Sequence, residues 1–281
     1  MSEFVGARPA TLRRIDSPRN QVLRLARSLQ SKRERREQRL MVVEGEDLLD
    51  GAIAAGLMPT VVIFDESRVA RDDPMFAATA SVEARYLASQ ALIGGVSTLA
   101  APPRVLAIVP QPGPHHFRTV AFPPSVALFL GGVSDPGNVG SLVRTAAAFG
   151  CDWVALGPGS ADAFHPRAVR AAMGATFAVP ILEGVRASDL ATREGFHIVV
   201  AAAHGGLPPW QVDLTGPLVL ALGGEREGHE ALGDEIPAER TLVVTIPQAG
   251  GAESLNVAAA GAALLAEVVR QRSVADAGRP V

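Results

Sequence analysis

The chain has 281 residues, 48% of them hydrophobic and 20% charged, with a formal net charge of −3. That length has room for two domains that each bury a core, and no apolar run approaches the roughly 18 residues of a membrane helix. A single cysteine, Cys151, excludes an internal disulfide and a multi-cysteine zinc site.

Residues 1–17 read as a polar leader. It carries arginines but no apolar stretch behind them, so neither secretion nor membrane anchoring is expected and a cytoplasmic location follows. Charge is uneven along the chain: residues 1–39 hold eleven Lys/Arg against four Asp/Glu, whereas residues 125–281 hold ten against sixteen. Only Lys32 is a lysine. Arginine's planar fork suits phosphate contact and stacking on bases, although genome composition explains an arginine bias equally well. A helix is predicted over 18–39, with Val22, Leu25 and Leu29 on its inner side and Arg24, Arg27, Arg35 and Arg39 elsewhere. The run RLARSLQSKRERREQR is denser in positive charge than an ordinary solvated helix face. Arg24, Arg27, Lys32, Arg33, Arg36 and Arg39 are therefore candidate phosphate contacts.

LMVVEG reads as a strand, DLLDGAIAAG as a helix closed by Gly56, and TVVIFD and VLAIVP as strands. These make a small α/β domain over 18–109. The proline-rich PQPGPHHFRTVAFPP (110–124) has no periodicity and is the candidate linker. From 125 to 272, apolar strand candidates at 125–131, 152–156, 197–203, 217–222 and 241–246 alternate with helical segments. This is the pattern of a mostly parallel sheet covered by helices on both faces, and ligands in such sheets bind beyond the carboxyl ends of the strands. Residues 273–281 form a tail. Cys151 opens the apolar run CDWVAL and reads as a small buried residue rather than a nucleophile.

Three polar or Gly-rich clusters fall at strand ends. In DPGNVGSLVRTAAAFG, Asp135 and Pro136 make a turn, and Asn138 is the expected cap of a helix with Val139, Leu142, Val143, Ala146 and Phe149 on its apolar face. Arg144 has no opposite charge near it in sequence. LVLALGGEREGH ends a buried strand in Gly223, Gly224 and Glu225, where glycine lets a ligand approach the backbone. TIPQAGGAESLNV leads through a Gly-rich loop into Ser254, Leu255 and Asn256 at the start of an Ala-rich helix. His115, His116, His165, His204 and His229 have no metal-ligand spacing, so no metal is expected.

Taken in order, the three clusters resemble the signature motifs of the SpoU/TrmH branch of the SPOUT RNA methyltransferases. Those motifs run roughly D-P-x-N-x-G-x-x-x-R-x-A, apolar-G-x-E-x-x-G and I-P-x-x-G-x-x-x-S-L-N-V, and this chain supplies every fixed position. The segment HPRAVRAAMGATFAVP (165–180), which contains Arg170, is similar to the stretch between the first two motifs, with Ala172 where a serine is common. The N-terminal part is similar to the ribosomal-protein-like substrate-binding domain often fused to this catalytic domain. Pro103 and Arg104 stand where that domain usually has a Gln-Gly pair.

The resemblance implies an α/β SPOUT fold with a trefoil knot, S-adenosylmethionine as cofactor, and methylation of a ribose 2′-hydroxyl. It implies a homodimer and RNA as partner, with ribosomal RNA favoured over transfer RNA. It places Leu222, Gly223, Gly224, Ile246, Gly251 and Leu255 at the cofactor and Asn138, Arg144, Glu225, Ser254 and Asn256 at the reaction, with Arg170 joining the RNA contacts. The family's proposed base stands at Arg144. A guanidinium with a pKa above about 12 is a poor base, so phosphate binding by Arg144 and proton relay through Ser254, Asn138 or water is the preferred division. Alternatives are a non-catalytic RNA-binding protein that keeps the fold, and a nicotinamide-dependent enzyme, against which stands the lack of a G-x-G-x-x-G after the first strand.

Overall fold

A computed structural model of the chain describes residues 12–70, 72–223, 238–250 and 254–277. They form two compact units. The first runs to Pro112 and includes Phe164–Pro166, and the second comprises Gly113–Ala163 and the residues from Arg167 onward.

The first unit contains β1 (Arg13–Ile15), α1 (Gln21–Ser28), α2 (Lys32–Gln38), β2 (Leu40–Glu44), α3 (Glu46–Ala54), β3 (Val61–Asp65), α4 (Pro74–Ala78), β4 (Ala84–Ala88), α5 (Gln90–Gly94) and β5 (Val105–Pro110). Its sheet has the order β1-β4-β3-β5-β2. The β1/β4 and β3/β4 pairs are parallel, and β5 runs antiparallel to both β3 and β2. The polar leader thus ends in a strand, with Ile15 buried in the core. β4, with the sequence ARYLA, escaped the sequence reading because Arg85 interrupts its apolar pattern. That arginine is buried and donates to the Phe76 carbonyl at 3.0 Å.

The single helix expected over 18–39 is two helices broken at Leu29–Ser31. Arg35 causes part of the difference. It lies inward with 1% exposure, and its Nη1 donates to the Leu29 carbonyl at 2.7 Å, satisfying an acceptor that the end of α1 leaves open. Leu23, Ala26 and Leu29 are the buried residues, with Val22 and Leu25 only partly covered, so the inward face is rotated from the predicted one. Arg24, Arg27, Lys32, Arg33 and Arg36 are exposed. Arg33 pairs with Glu37 at 2.8 Å. Arg39 is half-buried, adopts a left-handed φ of 54° that ends α2, and donates to the Pro112 carbonyl.

The end of β2, Val43-Glu44-Gly45, has a physical reading. Glu44 is buried and accepts from the backbone and hydroxyl of Thr98, and Gly45 takes φ 103° to start α3. Arg104, at the place of the usual Gln-Gly pair, is held by Glu46 and Asp73.

The second unit contains β6 (Val126–Gly131), α6 (Pro136–Ala148), β7 (Val154–Leu156), α7 (Pro166–Ala172), β8 (Ile181–Glu183), α8 (Ala187–Ala191), β9 (His197–Ala201), β10 (Leu218–Gly223), β11 (Thr241–Val244) and α9 (Val257–Ala277). Every pairing in the order β11-β9-β10-β6-β7-β8 is parallel. Successive residues of β6 and β10 are buried, as in a sheet covered on both faces. The α/β class and the parallel sheet match the expectation.

Two segments differ in detail from the sequence reading. Phe117, Val120 and Phe122, from the stretch read as a linker, pack onto a core built around Phe129, Trp153 and Phe196, and the Arg193 guanidinium lies 4.6 Å from the Phe122 ring centroid. The stretch read as a tail continues α9 as far as Ala277.

Candidate active site at the strand ends

Parallel strands put all their carboxyl ends on one side, and register decides which residues meet there. Leu222 is level with Ala201, Val244 is also level with Ala201, and Gly223 is level with Gly131. A cavity of about 140 Å³ opens at this level, lined by Ala201, Leu222, Gly223 and Val244 from strands, Ile246, Gln248, Ser254 and Leu255 from the following loops, and Val257, Ala260 and Leu264 from α9. A single water needs about 10–15 Å³, so the space suits an organic ligand, and its described walls carry no charge. Nearby in the chain, the stretch after β9 is tied to the loop after β11: Gly206 donates to Thr245 Oγ1, and the Thr245 amide donates to the Leu207 carbonyl.

The first motif is organised by α6. Asp135 is its N-cap, accepting from the Asn138 amide, and Pro136 occupies the first turn. This corrects the expectation that Asn138 is the cap, and the correction frees the Asn138 side chain. Its Oδ1 accepts from Asn256 Nδ2 at 3.0 Å. Asn256 meanwhile caps α9, its Oδ1 accepting from Ala258 and Ala259 backbone amides at 2.9 and 3.3 Å. One residue therefore starts a helix and joins motif one to motif three.

Two glycines allow the helices this close. A Cβ on Gly140 would lie 2.2 Å from the Ala168 carbonyl oxygen of α7, and one on Gly261 would lie 2.5 Å from the Leu142 side chain. The far end of α9 is also fixed. Gln271 exchanges hydrogen bonds with Leu214 and Val212, and Arg272 donates to the carbonyls of Ser125 and Gly216, next to the amino ends of β6 and β10.

Of the residues expected at the cofactor, Leu222, Gly223, Ile246 and Leu255 line the one cavity together with Ser254. Asn138 and Asn256 are hydrogen-bonded beside it. Arg144 is not in the lining. It stands exposed on α6 with no hydrogen bond or ion pair to any described residue. Gly224, Glu225, Gly228, His229 and Gly251 lie outside the described residues. Arg170 is half-buried on α7. Gln248 and the alanines at the end of β9 and just after it, Ala201, Ala202 and Ala203, were not anticipated; the only signal for the latter was that an apolar strand ends in three small residues. Cys151 is buried, and burial together with the neighbouring Asp152 pushes its thiol up to about 12.

A parallel α/β sheet whose strand ends wall an apolar cavity beside paired amide side chains defines a ligand-binding enzyme domain. The model of the SpoU rRNA Methylase family matches residues 125–266, and that of the MRM3-like substrate binding domain matches residues 20–107; the chain belongs to the SpoU rRNA methylase family. It is 30% identical over 257 residues to the 23S rRNA (guanosine(2553)-2'-O)-methyltransferase RlmP of Bacillus subtilis, covering 90% of this chain and 98% of that one. A Streptomyces viridochromogenes 23S rRNA (uridine(2479)-2'-O)-methyltransferase is 33% identical over 61% of this chain and 62% of its own length. Among solved structures, the AdoMet-bound rRNA methyltransferase of Sinorhizobium meliloti superposes with a TM-score of 0.75 at 27% identity, covering 92% of this chain and 98% of that one. Among the described residues no helix is long and apolar enough to cross a membrane.

Proposed function

We propose that the chain is an S-adenosylmethionine-dependent methyltransferase acting on a ribose 2′-hydroxyl of ribosomal RNA. The observation that carries this is the Asn256–Asn138 hydrogen bond, with Asn256 standing in the chain between Leu255 and Val257 of the lining of a cavity walled by the strand ends. The naming of one relative matched over nearly its full length as a 23S rRNA 2′-O-methyltransferase supports ribosomal over transfer RNA. The cavity fits the cofactor through its uncharged walls of Leu222, Ile246, Leu255 and Leu264, which suit a flat base. When bound there, S-adenosylmethionine supplies an electrophilic methyl group.

The protein's part is positioning and proton management. In-line transfer needs acceptor and donor atoms held at about 3–3.5 Å with aligned orbitals. Asn138 Oδ1 is committed to Asn256, so this amide presents its N–H donors and takes no proton. Ser254, in the cavity lining, is left as the protein's hydroxyl relay to water. Arg144, exposed and not paired to any described residue, binds an RNA phosphate bidentately and so orients the neighbouring ribose. Arg24, Arg27, Lys32, Arg33, Arg36 and Arg39 extend the phosphate contacts on the first unit, and Arg170 adds one on the second. Glu225 completes the polar set by resemblance. The chain works as a homodimer through its C-terminal domain, and Val269 and Val274, exposed on α9, are available to a second copy.

Incubating the purified protein with S-adenosyl-[methyl-³H]methionine and separate ribosomal and transfer RNA pools tests the reading. Label should enter ribosomal RNA and map to an alkali-resistant ribose linkage. Label only in transfer RNA, or on a base, overturns it. Arg144→Lys should lose most turnover on saturating RNA while keeping cofactor affinity, because lysine is a point charge without the guanidinium fork.

A further inference from the structure

Two non-glycine residues among those described take a left-handed φ, Arg39 and Met173. Met173, at φ 49°, also leaves its side chain 51% exposed. Glycine adopts that backbone without a Cβ clash and is the usual residue just past a helix end; Gly174, the next residue, does so at φ 88°. A methionine here combines a disfavoured backbone with apolar surface in solvent, two costs that glycine would avoid.

Its place on the second unit is set by α6 and α7. Arg167 at the start of α7 pairs with Asp135 just before α6, and a Cβ on Gly140 would meet the Ala168 carbonyl and the Ala171 side chain. The two helices thus advance side by side. Gly140 and Arg144 are four residues apart and share a face of α6, so Arg144 projects on the α7 side, one turn past the Gly140 contact. α7 ends at Ala172, and the 3₁₀ turn Ala175–Phe177 that follows packs on α6 as well. Met173 lies between these two contacts, along the side of α6 from which the exposed Arg144 emerges.

We propose that Met173 is a platform for a nucleobase of the substrate RNA, its thioether packing on the ring beside the phosphate that Arg144 holds. This rests on the reading of the chain as a ribosomal RNA methyltransferase. Sequence-specific RNA recognition works mainly on unstacked bases, whose faces then need a partner. A thioether suits that partner, being unbranched, polarizable and favourable against aromatic rings. The guanidinium supplies charge and the methionine supplies apolar surface, which matches a nucleotide, a charged phosphate joined to a flat ring. A second copy of the chain would also cover the methionine, but it would draw the charge of Arg144 into a desolvated interface, which is costly without a partner. Met173 stands outside the three motifs, in the stretch between the first and the second, so a side chain that the motifs do not fix carries this contact.

The test is methyl transfer by the full chain to a 23S ribosomal RNA transcript at salt concentrations from about 50 to about 200 mM, with sedimentation equilibrium on the same proteins. Met173→Gly should raise the KM for RNA about three- to tenfold, the worth of one sulfur–ring contact, with the change confined to KM rather than kcat at saturating RNA. Its Tm should not fall, because glycine relieves the backbone. The slope of log KM against log salt should keep its wild-type value, since an apolar contact releases no counterion. Met173→Leu, which keeps apolar bulk, should recover most of the lost affinity. A glycine variant with the wild-type KM overturns the proposal. A shallower salt slope also overturns it, because the residue would then act by placing Arg144, and so does a changed association state, which would give the methionine to a second copy. Failure of the wild-type chain to methylate the transcript overturns the functional reading itself, whereas methylation with an unchanged glycine variant overturns only the role of Met173.

Discussion

Asn256 does two separable things, and two substitutions pull them apart. Asn256→Ala removes a cap that accepts from Ala258 and Ala259 and also a donor to Asn138. Losing an N-cap costs about 1 kcal/mol, and losing a largely exposed hydrogen bond costs about 0.5–1.5 kcal/mol. The sum is about 1.5–2.5 kcal/mol, or about 4–8 °C in Tm for a unit of this size. Asn256→Asp keeps a cap acceptor and adds a negative charge at a helix N-terminus, which the helix dipole favours, but it offers Asn138 an oxygen in place of an N–H. The aspartate variant should therefore recover most of the Tm lost by the alanine variant while its methyl transfer stays low. Differential scanning calorimetry and the tritium assay, run on the same preparations, measure both quantities. If the aspartate variant melts as low as the alanine variant, the capping role is wrong; if it methylates at the wild-type rate, the bond to Asn138 has no part in the reaction.

Gly140→Ala places a methyl 2.2 Å from the Ala168 carbonyl oxygen and 2.8 Å from the Ala171 side chain. Backbone must move, so the variant should lose about 1–3 kcal/mol or more in urea unfolding; an unchanged midpoint refutes the α6–α7 contact. Cys151, with its thiol pushed up to about 12, should not react with a thiol-specific disulfide reagent at pH 8 until the protein is unfolded. Glu267 is held down to about 2 from an ordinary value near 4.5, first by hydrogen bonding from Arg270 and then by Gln271 and the Arg270 charge, against an opposing effect of burial. A carboxylate with a depressed folded-state pKa stabilises above its ordinary pKa and loses that contribution as pH falls through the folded value. The Tm deficit of Glu267→Gln should thus be full at pH 7 and shrink between about 4.5 and 2, which a pH series of thermal melts checks.

How much was legible in the sequence depended on whether the signal was local. Strands β2, β3, β5, β6 and β10 are continuous apolar runs, and their sequence pattern already states their burial. β7 and β8 have three residues each; β8 is too short to leave a pattern and is held by its neighbour. Arg35 read as outward charge, and Arg85 left β4 unread, because no local rule reveals that a guanidinium will turn inward to satisfy a helix carbonyl. Asn138 read as a cap because capping by Asp135 three residues earlier is equally compatible with the sequence; only the Asn256 amide, 118 residues away, distinguishes the two. Gln248 was invisible for the same reason. Its place in the cavity lining exists only after the strands are in register.

Because α9 supplies a wall of the cavity and is translated after every strand it leans on, the pocket cannot be complete while those last turns are still inside the ribosome. A nascent chain stalled with residue 250 at the exit port will have synthesised the strands of both sheets yet offer the small molecule only an open trough. Ligand capture thereby waits on the start of α9, and a stalled-ribosome series read out by cofactor crosslinking should show uptake appearing in one step as residues 257–264 emerge.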